Sequence, residues 1–204
     1  MKRKITLVTL VFFVFALLTN AQKRVETFEN NAFGWEEIAM KKKSAIIRDG
    51  YLVLEAKNAK DPMVITTRFP IDVHRSFKIT AKFLLPKYAK GIPSFGIVFD
   101  ESNAVRRFVI GKVVDGKKIK EGALLNINGV FETAALPLSL ASKNAEVTLV
   151  VENRAGVLFF SVNGMTAFSN VKAGLNTSNW GFVAAGGEVR VDEIIINQAE
   201  EKDN

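Results

Sequence analysis

Beyond its first 21 residues the chain alternates apolar and polar side chains with a period of two, and this alternation constrains its fold more than any other feature. Phe77, Ile79, Ala81, Phe83 and Leu85 share one face of an expected strand, with Ser76, Lys78, Thr80 and Lys82 on the other, because successive strand side chains point to opposite sides. Phe95, Ile97 and Phe99 repeat the pattern. So do Val147, Leu149 and Val151 and, after a turn at Asn153 to Gly156, Leu158, Phe160 and Val162. No long helical stripe interrupts it. Many short strands, each with one face to bury, are accommodated most economically by two sheets packed face to face. The expected fold is all-β, a two-sheet antiparallel β-sandwich.

The punctuation agrees with that reading. Asp49-Gly50, Asp115-Gly116 and Asn163-Gly164 each follow an apolar run and supply the positive φ that tight hairpin turns need. Pro62, Pro70, Pro86, Pro93 and Pro137 all fall at segment ends or in loops, where a missing amide hydrogen costs little. The last strand changes parity: Val189 and Val191 belong to one set, Ile194 and Ile196 to the other. A bulge near Asp192-Glu193 would return both pairs to the core.

Lys2, Arg3 and Lys4, the apolar run Ile5 to Leu18 and the small residues before Gln22 have the order of a secretory signal peptide. That run is shorter than the ~20 residues needed to span a bilayer. Residues 1–21 are therefore expected to be a cleaved leader, 22–197 one domain and 198–204 a frayed polar tail, with a periplasmic or secreted product. Removing 21 residues and three basic groups from 204 leaves 183 and lowers the formal charge from +7 to +4. The absence of cysteine excludes disulfides, thiolate metal sites, cysteine nucleophiles and a lipid-bearing cysteine. His74 is the only histidine, so no multi-histidine metal site can form. It reads as a structural or surface residue.

Several stretches, in this order, resemble the concanavalin A-like lectin/glucanase jelly roll, particularly the laminin-G-like domains of secreted bacterial proteins. They are Phe28-Glu29-Asn30-Asn31 with Gly34-Trp35, Asp49 to Leu54, Ser94 to Asp100, Val147 to Gly164, Trp180-Gly181-Phe182 and Val189 to Ile194. The resemblance spans nearly the whole chain after residue 21, and it implies a jelly-roll sandwich more firmly than any activity. Catalytic members of such a fold are often glycoside hydrolases with two carboxylates flanking the scissile bond. The laminarinase-like run Glu-x-Asp-x-x-Glu is missing here, and the acidic pairs Glu36-Glu37, Asp100-Glu101 and Asp192-Glu193 are adjacent. In a regular strand such partners face opposite ways. The resemblance also implies a structural calcium ion, for which Glu29 or Glu26 and Asp192 hold comparable positions, oxygen ligands suiting a hard cation.

Sugar binding calls for exposed rings. After the leader there are 13 Phe, which read as core, and only Trp35, Trp180, Tyr51 and Tyr88 besides. Trp35 is expected to be packed. Tyr88, in a loop between Lys87 and Lys90, and Trp180, after the polar segment 176–179, are the candidate stacking platforms. Lys112 and Lys118, with Lys117 and Lys120, form a basic group able to attract an acidic glycan or an anionic envelope surface. No nucleic-acid motif accompanies the lysines, and none is expected as a partner. The expectation is an exported, non-catalytic carbohydrate-binding or glycan-associated domain. A glycoside hydrolase of the same fold and an envelope protein-protein interaction module are the alternatives.

Overall fold

A computed structural model describes residues 21–86, 92–101, 104–115, 117–142, 144–172, 175 and 177–199. Residues 1–20 of the expected leader, Tyr88, Gly116 and the end of the tail lie outside them. The described residues form strands and no helix. In chain order the strands are β1 (Ala21–Glu26), β2 (Ile38–Ala39), β3 (Lys43–Arg48), β4 (Tyr51–Ala56), β5 (Met63–Thr66), β6 (Phe77–Leu85), β7 (Ser94–Glu101) and β8 (Ala104–Asp115). They continue with β9 (Lys118–Ile127), β10 (Val130–Ala135), β11 (Ala145–Arg154), β12 (Val157–Val162), β13 (Met165–Val171), β14 (Trp180–Ala185) and β15 (Gly187–Ala199).

Two antiparallel sheets result, as the alternation requires. The larger runs β13-β12-β11-β6-β15-β4-β3-β2, with β1 also paired to β15; the smaller runs β10-β9-β8-β7-β14-β5. β15 is the keystone of the larger sheet. One of its edges pairs with β6, and the other pairs with β4 through residues 187–191 and with β1 through residues 194–199. Its register against β6 slips between Val191 and Glu193. That is the expected bulge, and it keeps Val189, Val191, Ile194 and Ile196 all buried. β15 also reaches Ala199, beyond the expected boundary at 197. Gln198 belongs to the sheet margin, where its amide nitrogen donates to the Asp72 carbonyl at 2.7 Å.

The core lies between the sheets and is largely aromatic. The Trp35 ring stacks on Phe182 at 5.1 Å, Phe83 meets Phe182 edge-on at 5.4 Å, and Phe83 packs on Phe95 at 5.0 Å. A second group joins Phe108 to Phe160 at 5.0 Å. Phenylalanine is the main core aromatic, as its strand parity indicated, with Phe131 exposed. One further hairpin turn, Asn128-Gly129 with φ of 54° and 86°, joins β9 to β10 and has the backbone that Asn-Gly favours in a two-residue loop.

Alternating strand directions place the connections at two ends of the sandwich. One end receives residues 27–37, Asp49-Gly50, the segment 67–76, Ala155-Gly156 and the approach to β14. The other receives residues 40–42, the segment 57–62, the tip of the β8–β9 hairpin, the β10–β11 connection and Gly186.

Candidate functional site

The outer face of the smaller sheet is unlike an ordinary solvated strand surface. Cross-strand pairing lays three rows over it. The first is Thr66, Gly181, Val98, Arg107, Asn126 and Phe131. The second is Val64, Val183, Gly96, Val109, Leu124 and Thr133. The third holds only small residues, among them Ser94, Gly111 and Gly122.

Three of these glycines are required by close approach. A Cβ on Gly96 or Gly181 would lie 1.9 Å from the carbonyl oxygen of Phe108 or Ile65 on the neighbouring strand, and one on Gly122 would lie 2.3 Å from that of Ala134. Val98 and Val183 are 1% and 5% exposed although they face away from the core.

Polar chemistry on this surface is concentrated in the first row. Arg107 is half-buried between Val98 and Asn126, and its Nε is buried without a hydrogen-bond partner. The Asn126 side-chain oxygen accepts the Gly129 amide at 2.9 Å, which leaves its amide nitrogen available. Phe131, on the edge strand β10, is 62% exposed. A hydroxyl, a guanidinium, a carboxamide and an exposed ring therefore share one line across the sheet. Asp100, on β7, shares the outer parity of Val98 and pairs with Val105 one step beyond this row.

Two clefts flank the sandwich. One, of about 390 Å³, opens between the edge strands β10 and β13 and is lined by Val130, Glu132, Ser169 and Lys172 among others. The second, of about 550 Å³, lies beside Asp72, His74 and Gln198. Each is lined by a single carboxylate, so neither offers the pair that glycoside hydrolysis uses. His74 is exposed, its amide bonded to the Asp72 carboxylate at 3.0 Å.

The expected site residues are not gathered in one place. Trp180 is fully buried, which corrects its expected place as a stacking platform. It stands on the inner parity of β14, meets Trp35 edge-on at 5.8 Å, and donates its Nε1 hydrogen to the Phe69 carbonyl at 2.9 Å. Trp35 is packed, as expected. Lys112 and Lys118 are exposed on the β8–β9 hairpin. Lys112 is five residues from Arg107, about 17 Å along an extended strand.

Of the calcium candidates, Glu26 is buried and its two oxygens accept the amides of Phe28 at 2.8 Å and Phe33 at 2.7 Å. Glu29 and Asp192 are exposed, and Asp192 is the residue that the bulge inserts into β15. No group of three or more His, Cys, Asp or Glu side chains assembles among the described residues.

Phe131 and Arg107 were missed in the sequence because both lie beside stronger signals. Asn128-Gly129, two residues before Phe131, was the clue to an edge strand. The alternation Arg106, Phe108, Ile110 against Arg107, Val109, Gly111 was the clue to an outward Arg107.

Comparison with known proteins bears on fold. No family model and no curated protein matches the chain. Among solved structures it is similar to the GH43 BlXynB protein from Bacillus licheniformis, with a TM-score of 0.56 and 14% identity over 88% of this chain. It spans only 39% of that chain. It is also similar to the CBM2 module of the Lactobacillus casei BL23 phage J-1 evolved Dit, with a TM-score of 0.57 and 9% identity over 90% of this chain and 100% of that one. A β-glucanase from Bacillus licheniformis gives 0.56 and 11%, over 88% and 98% of the two chains. The chain thus shares its sandwich fold with glycan-related proteins. Sequence identities this low carry no activity across.

Proposed function

We propose that the protein is an exported glycan-binding sandwich domain whose ligand lies across the outer face of the smaller sheet, along Thr66, Arg107, Asn126 and Phe131. The observation that carries this reading is the first row itself. On a surface otherwise made of glycine and short aliphatic side chains, the polar donors and acceptors and an exposed ring converge on one line. Sugar rings pair an apolar face with a rim of hydroxyls, and binding surfaces for such ligands combine apolar floor with a few placed polar groups. The presence of a CBM2 module and of glycan-acting enzymes among proteins of similar fold supports the reading.

Binding rather than cleavage is the reading that the first row supports, since its polar groups are a hydroxyl, a guanidinium and a carboxamide. The hydrolase alternative draws on the likeness to GH43 and β-glucanase structures. One experiment separates the two. The protein is titrated with a panel of neutral and acidic polysaccharides, by affinity electrophoresis and calorimetry, while reducing ends are assayed. Binding without release of reducing ends is expected. Arg107→Ala and Phe131→Ala should each weaken it by about tenfold, the effect of one lost charged hydrogen bond or one ring contact. Release of reducing ends would establish the hydrolase instead, and binding unaffected by either substitution would move the site off this face.

A further inference from the structure

The two ends of the sandwich differ sharply in charge. In the end formed by residues 40–42, 57–62 and the β8–β9 tip, the turn contributes exposed Lys41 and Lys42, and the hairpin contributes exposed Lys112, Lys117, Lys118 and Lys120. The segment between β4 and β5 adds Lys57 and Lys60. In the segments 40–42 and 57–62 the one carboxylate is Asp61, bound to Lys43 at 2.8 Å, and at the hairpin tip Asp115 pairs across the strands with Lys118. On the hairpin, the Glu121 carboxylate accepts the Leu140 amide at 3.0 Å. At the opposite end Arg68 and Arg75 are matched by Glu36 at 3.6 Å and Asp72 at 2.8 Å.

The same end carries exposed apolar side chains. Ile119 is 71% exposed between Lys118 and Lys120, and Met40 is 59% exposed beside Lys41. The β8–β9 hairpin projects beyond the sheet, since β7 pairs with β8 only as far as Ile110. β3 lies against β5, and β5 is separated from β9 by three intervening strands. At ~4.8 Å per strand, β5 and β9 lie roughly 20 Å apart within the smaller sheet.

We infer that this lysine end docks the protein on an anionic lipid bilayer. A polyanionic glycan would use the lysines but leave Ile119 and Met40 in water. A lipid surface uses both, because ammonium groups meet phosphate headgroups while aliphatic tips enter the acyl boundary. The end holds lysine and no arginine in its described residues, which suits diffuse attraction to many headgroups better than bidentate recognition of one. The contact proposed is peripheral, through charge and two aliphatic tips. The proposal is independent of the glycan site, since Lys112 is five residues from Arg107, about 17 Å along the strand.

Flotation with vesicles of phosphatidylcholine alone, and of phosphatidylcholine with about one third phosphatidylglycerol, tests it. The protein should float with the anionic vesicles only, and be released by salt as screening shortens the reach of charge. Each lysine neutralised should cost about fivefold in partitioning, so Lys117→Gln with Lys118→Gln should cost about 25-fold. Lys78→Gln with Lys172→Gln removes the same charge elsewhere and should change little. Ile119→Ser should lower partitioning with every lysine in place. Equal loss from both lysine pairs, no effect of Ile119→Ser, or binding to soluble heparin without binding to anionic vesicles would each overturn the proposal.

Discussion

The two ends of this sandwich are built from the same kind of turn and have opposite characters. At the tryptophan end the connections are bonded to one another. The Asn31 side chain holds both backbone groups of Trp35, at 2.7 and 2.9 Å, and Thr67 donates to the Phe33 carbonyl at 2.6 Å. Phe33 stacks on Phe69 at 4.5 Å, and buried Asn153 donates to the carbonyls of Val73 and Arg75. At the lysine end Lys41, Lys42, Lys117 and Lys118 are exposed. One end closes the core, while the other presents its charge to solvent. Polar residues therefore mean different things at the two ends, and burial is what distinguishes them.

The largest expected contrast is between Trp180→Ala and Ile119→Ala. Trp180 is fully buried among Trp35 and Phe182, and its truncation should remove about 3–5 kcal/mol. For a domain of this size that lowers Tm by roughly 10 °C, at about 2–4 °C per kcal/mol. Ile119→Ala should stay within about 0.5 kcal/mol. Calorimetry of the two variants decides it, and similar losses would mean that the hairpin tip is packed after all.

Glu26 offers a subtler test. Its carboxylate is buried at the base of residues 27–37 and is the acceptor for the amides of Phe28 and Phe33. Phe28 has a φ of 62°, an unusual backbone for a bulky residue. The two hydrogen bonds help to hold that conformation. Glu26→Ala leaves two amides without their acceptor and should cost about 2–4 kcal/mol, at roughly 1–2 for each. Glu26→Gln retains one acceptor oxygen and should cost about half as much. Equal stability of the two variants in urea denaturation would show that water replaces the carboxylate.

Strand parity made the fold legible in the sequence, whereas the site was not. Phe77 to Leu85 and Val147 to Val162 alternate so strictly that faces and hairpin follow directly, and the parity change at Asp192-Glu193 located the bulge. Trp180 misled because the polar residues before it suggested a rim position. Its inner parity, shared with Phe182 and Ala184, was the better guide. The glycines of the outer face were opaque for another reason: that Gly96 and Gly181 face carbonyl oxygens of neighbouring strands depends on which strands are neighbours. Pairing order is a long-range property that local pattern does not encode.

The smallest effect sharpens the comparison from the rim of the tryptophan end. Arg154 grips Glu152 there through two hydrogen bonds of 2.8 Å and lies over the Phe159 ring at 4.7 Å. The hydrogen bonds from Arg154, against some opposing desolvation, hold the Glu152 carboxyl below its ordinary value of 4.5. A carboxyl with a lowered folded pKa contributes stability that is fully present above the unfolded value and is lost as pH falls through the folded one. The loss should therefore develop below about pH 4.5. Arg154 is 63% exposed, so solvent screening keeps the contribution small. Urea denaturation of the protein and of Glu152→Gln, from neutral pH downward, should show a small gap that closes in acid. A gap that is constant with pH would assign the arginine's contribution to its packing on Phe159 rather than to charge.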